Sequence, residues 1–195
     1  RYCLTGNHDH AALNKVDLTE FNPDAAFAVV WTRDQLTPQS VRFLSQRPEM
    51  TAVDAETTLV HASPREPIWE YVTTAQIARE NFEHFATRLC FIGHTHVPTA
   101  FELVSNSARS HVRIRVSDPE SPYPLRANAD SRFIVNPGSV GCPAYHDDQP
   151  KPHLVGTGAP DARYALIERR SGRWSVTLRV VPYDHAAAAE LCRVN

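Results

Sequence analysis

The chain has very little lysine: among its 195 residues only Lys15 and Lys151 stand beside 18 arginines. The skew reads as genome composition rather than function, although arginine also suits bidentate contacts to phosphate. No run of residues approaches the ~18–20 apolar positions of a membrane span, and mean hydropathy is −0.37, so a membrane partner is not expected. Charge of one sign is also missing. A net charge of −2 and a pI near 6.6 exclude a binder that holds nucleic acid by bulk positive charge. The four cysteines, Cys3, Cys90, Cys142 and Cys192, form no Cys-x-x-Cys pair, which excludes a zinc ribbon and a dense disulfide framework. They read as mostly buried thiols of a reducing, cytoplasmic compartment. There is no visible signal peptide, internal repeat or low-complexity segment, and the first residue is Arg1 rather than Met.

What is present is an ordinary globular composition, 42% apolar and 22% charged, long enough for one domain with a sizeable core. Arg1–Thr5 reads as the tail of a strand. Pro23 after Asn22, and Pro38 after Thr37, signal two helices, the second with Val41, Phe43 and Leu44 inward. Thr57–Val60 reads as a strand, Glu70–Ala86 as a helix with Val72, Ile77, Phe82 and Phe85 apolar, and Leu89–Ile92 as a further strand. Beyond Pro98 the pattern turns to strands at Ala100–Val104, His111–Val116, Phe133–Val135, Tyr164–Ile167 and Trp174–Val181, which should pair as antiparallel or mixed neighbours. A closing helix spans Asp184–Arg193, capped by Asp184. The proline-rich stretches Ser117–Asp130 and Pro143–Asp161 read as exposed loops. This alternation predicts an α/β protein with two sheets.

Polar clusters follow the apolar runs in one consistent way. Tyr2–Leu4 leads into Thr5-Gly6-Asn7-His8-Asp9-His10, and Thr58–Val60 into His61-Ala62-Ser63-Pro64. Leu89–Ile92 leads into Gly93-His94-Thr95-His96, and Phe133–Val135 into Asn136-Pro137-Gly138-Ser139. In open α/β sheets, loops at the carboxyl ends of adjacent strands converge on one pocket. A pocket of imidazoles and amide oxygens, with no thiolate close in sequence, suits a borderline divalent metal such as Mn, Fe, Ni or Zn.

These motifs, in this order, resemble the last three of the five motifs of the calcineurin-like metallophosphoesterases. The Asn136-Pro137-Gly138-Ser139-Val140-Gly141 segment resembles the small bacterial and archaeal phosphodiesterase branch of that superfamily. The resemblance runs from Arg1 to about Glu168. It implies a two-sheet αββα sandwich and two divalent metal ions. Asn7, His61 and His94 then match ligands of one ion and His96 a ligand of the second. His8 matches the catalytic histidine and Asp9 the carboxylate that orients it. The implied reaction is hydrolysis of a phosphodiester or small phosphomonoester by a metal-bridging hydroxide, and the partner is a small phosphorylated substrate.

The resemblance also has a gap. The family's Asp-x-His and Gly-Asp motifs, which would supply the remaining ligands and the bridging carboxylate, occur nowhere in the 195 residues. The expectation is a single domain over 1–195 that is incomplete at its N-terminus and lacks the N-terminal strands. Alone, it should bind metal weakly and turn over little. Arg65 is a candidate phosphate contact, while a solvated loop arginine is the plainer reading. His10 reads as exposed or as supporting the site from behind, and Asn136-Pro137-Gly138 as a tight turn. His111, Tyr145, His146 and His153 are rim candidates, and Trp31, Phe43, Trp69 and Phe82 read as packing. Other classes stay open: a non-catalytic scaffold of the same fold, or a Ser/Thr protein phosphatase or dinucleoside tetraphosphate hydrolase. No residue pattern indicates an oligomeric state.

Overall fold

The computed structural model describes residues 1–105, 110–115, 123–125, 131–141, 144–147, 153–156 and 158–194. Its helices are α1 (Asn7–Ala12), α2 (Pro23–Gln35), α3 (Pro38–Ser45), α4 (Ala75–Asn81) and α5 (His185–Val194), with a 3-10 turn at Leu18–Glu20. Each of the last four begins where a side chain caps it. Asn22, Thr37, Thr74 and Asp184 accept from the backbone N–H groups of Ala25, Ser40, Ile77 and Ala187 at 2.9, 3.1, 3.2 and 2.9 Å.

The strands are β1 (Met50–Ala52), β2 (Thr57–Val60), β3 (Leu89–Phe91), β4 (Thr99–Ser105), β5 (Ser110–Arg115), β6 (Tyr123–Leu125), β7 (Arg132–Asn136), β8 (Ala144–Asp147), β9 (His153–Gly156), β10 (Ala162–Arg170) and β11 (Arg173–Val181). Six of them form a mixed sheet in the order β1-β2-β3-β7-β4-β5. Within it β2, β3 and β7 run parallel, and the other pairings are antiparallel. A second, antiparallel sheet has the order β10-β11-β6, and β8 pairs with β9 as a hairpin.

Alternation along the parallel strands separates two cores. Cys90, Ile92 and Ile134 face α4 and pack with Val60, Val72, Ala78, Phe82, Phe85 and Phe101. Leu89, Phe133 and Val135 face the second sheet and pack with Leu125, Val176 and Leu178. Each fully buried Phe or Leu contributes about 1.5–3 kcal/mol by removal from water. The α/β class and the central mixed sheet therefore match the sequence expectation.

Several expectations need correction. Arg1–Thr5 forms no strand ladder; the Thr5 N–H donates instead to the Pro48 carbonyl at 3.0 Å. The Asn7–Asp9 cluster does not lie in a loop but opens α1, with the Asp9 carboxylate accepting from Gly6 N–H at 2.8 Å. The helix expected over Glu70–Ala86 shrinks to Ala75–Asn81, because Thr74 caps its start and Trp69 to Tyr71 are committed elsewhere. On α3, Val41 and Phe43 point outward, and Trp31 on α2 is likewise exposed, so these three do not pack as expected. The two loop stretches contain β6 and the β8–β9 hairpin, while their remaining residues lie largely outside the described ones. Cys90 is buried, but Cys3 and Cys192 are exposed, and Cys142 lies outside the described residues. No helix among the described residues is long and apolar enough to cross a membrane.

Candidate functional site

Four elements bring the site together: the start of α1, and the residues just after β2, β3 and β7. The Asn7 Oδ1 and His61 Nε2 atoms stand 3.0 Å apart, and the His61 and His94 rings meet edge-on at 5.1 Å between centroids. The Gly93 N–H donates to the His61 carbonyl at 2.7 Å, which locks the two histidine-bearing turns together. Gly6 makes this closeness possible. A Cβ there would lie 2.6 Å from His61 Cε1 and 2.7 Å from its Nδ1, so no larger residue fits without displacing the ring.

The turn after β3 is backbone-strained. His94 and His96 have φ of 62° and 60°, a region that residues with a Cβ rarely adopt. The buried Asn136 side chain holds it, donating to the Gly93 carbonyl at 2.6 Å and the Thr95 hydroxyl at 2.9 Å while accepting from Gly138 N–H at 2.9 Å. The Asn136-Pro137-Gly138 segment thus serves the site directly, through an amide whose reach across to β3 the sequence does not disclose.

His94 is clamped from a third direction. Its Nε2 lies 3.1 Å from the Trp69 carbonyl, its ring stacks on Tyr71 at 4.1 Å, and Trp69 meets it edge-on at 6.2 Å. A carbonyl only accepts, so Nε2 carries the proton and Nδ1 keeps its lone pair. Burial lowers the His94 pKa to about 3, with His61 acting in the same direction, and burial lowers that of His61 to about 4 against an opposing pull from Asp9. Both imidazoles are neutral at pH 7.

His8 stands exposed at the mouth of this cluster, edge-on to Phe21 at 5.1 Å; Phe21 in turn meets Trp69 at 5.1 Å. Loss of water lowers the His8 pKa and the charge of Asp9 partly offsets it. His96 packs edge-on against Tyr145 at 5.1 Å and is close enough for its charge to act on His61 and His94. His10 is buried rather than exposed, with its Nε2 3.5 Å from a Glu49 carboxylate oxygen. Arg65 is held by Glu70 and Glu80. Among the rim candidates, Tyr145 touches the site; His111 and His146 are exposed, and the His153 side chain lies outside the described residues.

Sequence reasoning missed Glu70 and Tyr71, hidden at the start of the over-long helix expectation, and Phe21; it read Trp69 as packing and not as a grip on His94. A Trp-Glu-Tyr run so soon after His61-Ala62-Ser63-Pro64 was the available signal.

The donor chemistry fits a divalent cation in part. Asn7 Oδ1 and His61 Nε2, 3.0 Å apart, bring together an amide oxygen and an imidazole nitrogen, donor types that a borderline divalent cation accepts. The His94 arrangement, with one ring nitrogen given to a carbonyl, is that of a ligand oriented from behind. Among the described residues, no three His, Cys, Asp or Glu side chains converge into a complete metal group.

A scan against protein-family profiles finds no match. The uncharacterized protein MJ0912 of Methanocaldococcus jannaschii is 29% identical over 147 residues, matching 72% of this chain and 55% of its own length. The chain thus spans about half the length of the curated relative it matches. Among solved structures, a metallophosphoesterase from Sphaerobacter thermophilus superposes with a TM-score of 0.70 at 38% identity, covering 94% of this chain and 67% of that one. The hypothetical protein PH1004 from Pyrococcus horikoshii OT3 superposes with a TM-score of 0.59 at 13% identity, covering 99% of this chain and 67% of that one, a likeness of fold alone.

Proposed function

The chain belongs to the metallophosphoesterase family, and we propose that the residues at the start of α1 and just after β2 and β3 form part of a site that hydrolyses phosphodiester or small phosphomonoester bonds with divalent metal ions. The supporting observation is the convergence of Asn7, His61 and His94 as neutral donors beside an exposed His8. Asn7, His61 and His94 would hold one ion and His96 would contribute to a second, drawn from Mn, Fe, Ni or Zn. Such ions, when bound, supply charge neutralisation for the phosphoryl group and lower the pKa of water.

The chain's own residues do the rest. His61 and His94 arrive neutral, so neither carries a positive charge that would repel a cation. His8 rests with its pKa below the ordinary value. An approaching phosphate raises that pKa by its negative charge, and the imidazolium so formed can protonate the leaving alkoxide. Asp9 supports that charge electrostatically while its carboxylate is anchored on Gly6 N–H.

Because no Asp-x-His or Gly-Asp occurs in these residues, the expected ligand set is partial and metal affinity modest. The test is Mn(II) titration followed by the electron paramagnetic resonance of free ion. The chain is expected to bind one ion weakly, and His61→Ala and His94→Ala are each expected to weaken it by about tenfold or more. Unchanged uptake in both variants would sink this assignment. With an aryl phosphodiester and an aryl phosphomonoester as substrates, any metal-dependent turnover should fall by about 100-fold in His8→Ala. A dinucleoside polyphosphate and a phosphopeptide, assayed in parallel, read the substrate class.

A further inference from the structure

Between His61 and α4 the chain makes a tight loop whose polar side chains meet at one carboxylate. Glu70, largely buried, accepts from the Ser63 hydroxyl at 2.6 Å and the Asn81 amide at 2.7 Å, and it pairs with Arg65. Arg65 N–H in turn donates to Asn81 Oδ1 at 2.9 Å, which closes the network onto α4. Burial works to raise the Glu70 pKa, and the hydrogen bonds from Arg65, Ser63 and Asn81 outweigh it, leaving the carboxyl below its ordinary range. The network's position in sequence gives it a consequence. Glu70 sits between the two residues that grip His94: the carbonyl of Trp69 on one side and the ring of Tyr71 on the other.

We propose that Glu70 is a positioning residue: by anchoring on Ser63, Asn81 and Arg65, it holds the Trp69 carbonyl and the Tyr71 ring against His94 and so selects the ring nitrogen that His94 offers to a cation. This assigns Arg65 a purpose within the chain, as the counter-charge of the anchor. The Glu66 carboxylate also accepts from the Trp69 N–H, but it belongs to the same loop; without Glu70 the loop loses its side-chain anchor on Asn81 of α4, the Trp69 carbonyl loosens from His94 Nε2, and its preference for one neutral tautomer weakens.

The test uses the 195-residue chain and the variants Glu70→Ala, Glu70→Asp and Glu70→Gln. Long-range proton–nitrogen NMR of the imidazoles reads the tautomer, with the His94 signals assigned by their loss in His94→Gln. The wild type is expected to show one His94 tautomer, protonated at Nε2. Glu70→Ala is expected to show both tautomers in exchange, while His84, exposed and outside the site, stays unchanged. Glu70→Gln keeps an acceptor for Ser63 and Asn81 but presents an amide N–H2 to Arg65, and it is expected to keep the Nε2-protonated tautomer as the major form. Mn(II) affinity is expected to fall by about tenfold in Glu70→Ala and to stay within about threefold in Glu70→Gln.

Glu70→Asp is too short to reach all three anchors together and covers the case in which Glu70→Ala does not fold; mixed tautomers are expected there also. A folded Glu70→Ala or Glu70→Asp that retains the wild-type tautomer overturns the role. Only the Mn(II) arm rests on the proposed function. If the wild type takes up no Mn(II), the metal reading fails, and the tautomer arm still decides the role of Glu70.

Discussion

The Asn136 amide donates to the Gly93 carbonyl at 2.6 Å, across from the end of one parallel strand to the end of its neighbour. Through that bond and its partner on Thr95, β7 restrains the turn that carries His94 and His96 in their left-handed conformations. Asn136→Ala should leave the Gly93 carbonyl and the Gly138 N–H without this partner, at a cost of about 2–4 kcal/mol in chemical denaturation. Metal uptake should fall by about tenfold or more even in the folded fraction. Full stability and full uptake together would show that the turn holds itself.

Gly6→Ala tests the approach of α1 to β2. The new methyl would press on the His61 ring, which must rotate away from Asn7. A stability loss of about 1–3 kcal/mol is expected from overpacking. The His61 imidazole resonances should shift, and those of the distant His84 and His185 should not. A superimposable histidine spectrum would contradict the tight fit.

Arg132 serves the opposite end of β7. Its guanidinium donates to the carbonyls of Thr87 at 3.1 Å and Phe82 at 2.7 Å, and also to that of Phe85, while lying over the Phe85 ring at 4.3 Å. The first of these carbonyls along the chain, that of Phe82, belongs to the cap of α4 and the other two lie in the segment that follows, so one side chain ties the end of the helix to the approach to β3. Arg132→Met should keep the packing and lose the bonds, at about 2–3 kcal/mol. The melting temperature should drop by about 5–10 °C, and a lysine should recover only part of it.

The cysteines should separate by reactivity. Burial pushes the Cys90 pKa up to about 12, with Arg132 pulling weakly the other way, so the site holds the neutral thiol across the whole neutral range. At pH 8 a thiol reagent should label Cys3 and Cys192 readily, and Cys90 only after unfolding, as read by peptide mass spectrometry. Rapid native labelling of Cys90 would show that the core beneath α4 opens.

The long apolar runs were legible because β-branched and aromatic residues in alternation leave few other options. Thr57–Val60 and the Phe133–Val135 core of β7 fall inside the strands with little or no shift. The ends of those runs pointed to Asn7, His61, His94 and the Asn136 segment, and the fold does gather them. What sequence could not convey was partnership at long range. The helix read from Glu70 onward had sound apolar spacing. Tertiary contacts took its first residues for the grip on His94, and Arg132 marks where its end gives out. On α3 the apolar spacing was real, yet Phe43 is 49% exposed because no described layer lies over that side, while α2 gathers its apolar residues on no single face and leaves Phe27 70% exposed. Short strands such as Met50–Ala52 carry too few residues to show a period at all.

The division of neighbouring residues between two cores has a consequence for how this region can change over time. Leu89 and Phe133 belong to one core, and Cys90 and Ile134 to the other. Insertion or deletion of one residue in β3 would exchange the sides of both cores and turn the histidine pair away from His61. Drift there must proceed by substitution at constant length, whereas β8 and β9 belong to neither core, and β8 meets the site through Tyr145 on His96. The spacing from Leu89 to His96 therefore leaves no room for an altered count of residues, and the same division holds in β7 at Phe133 and Ile134.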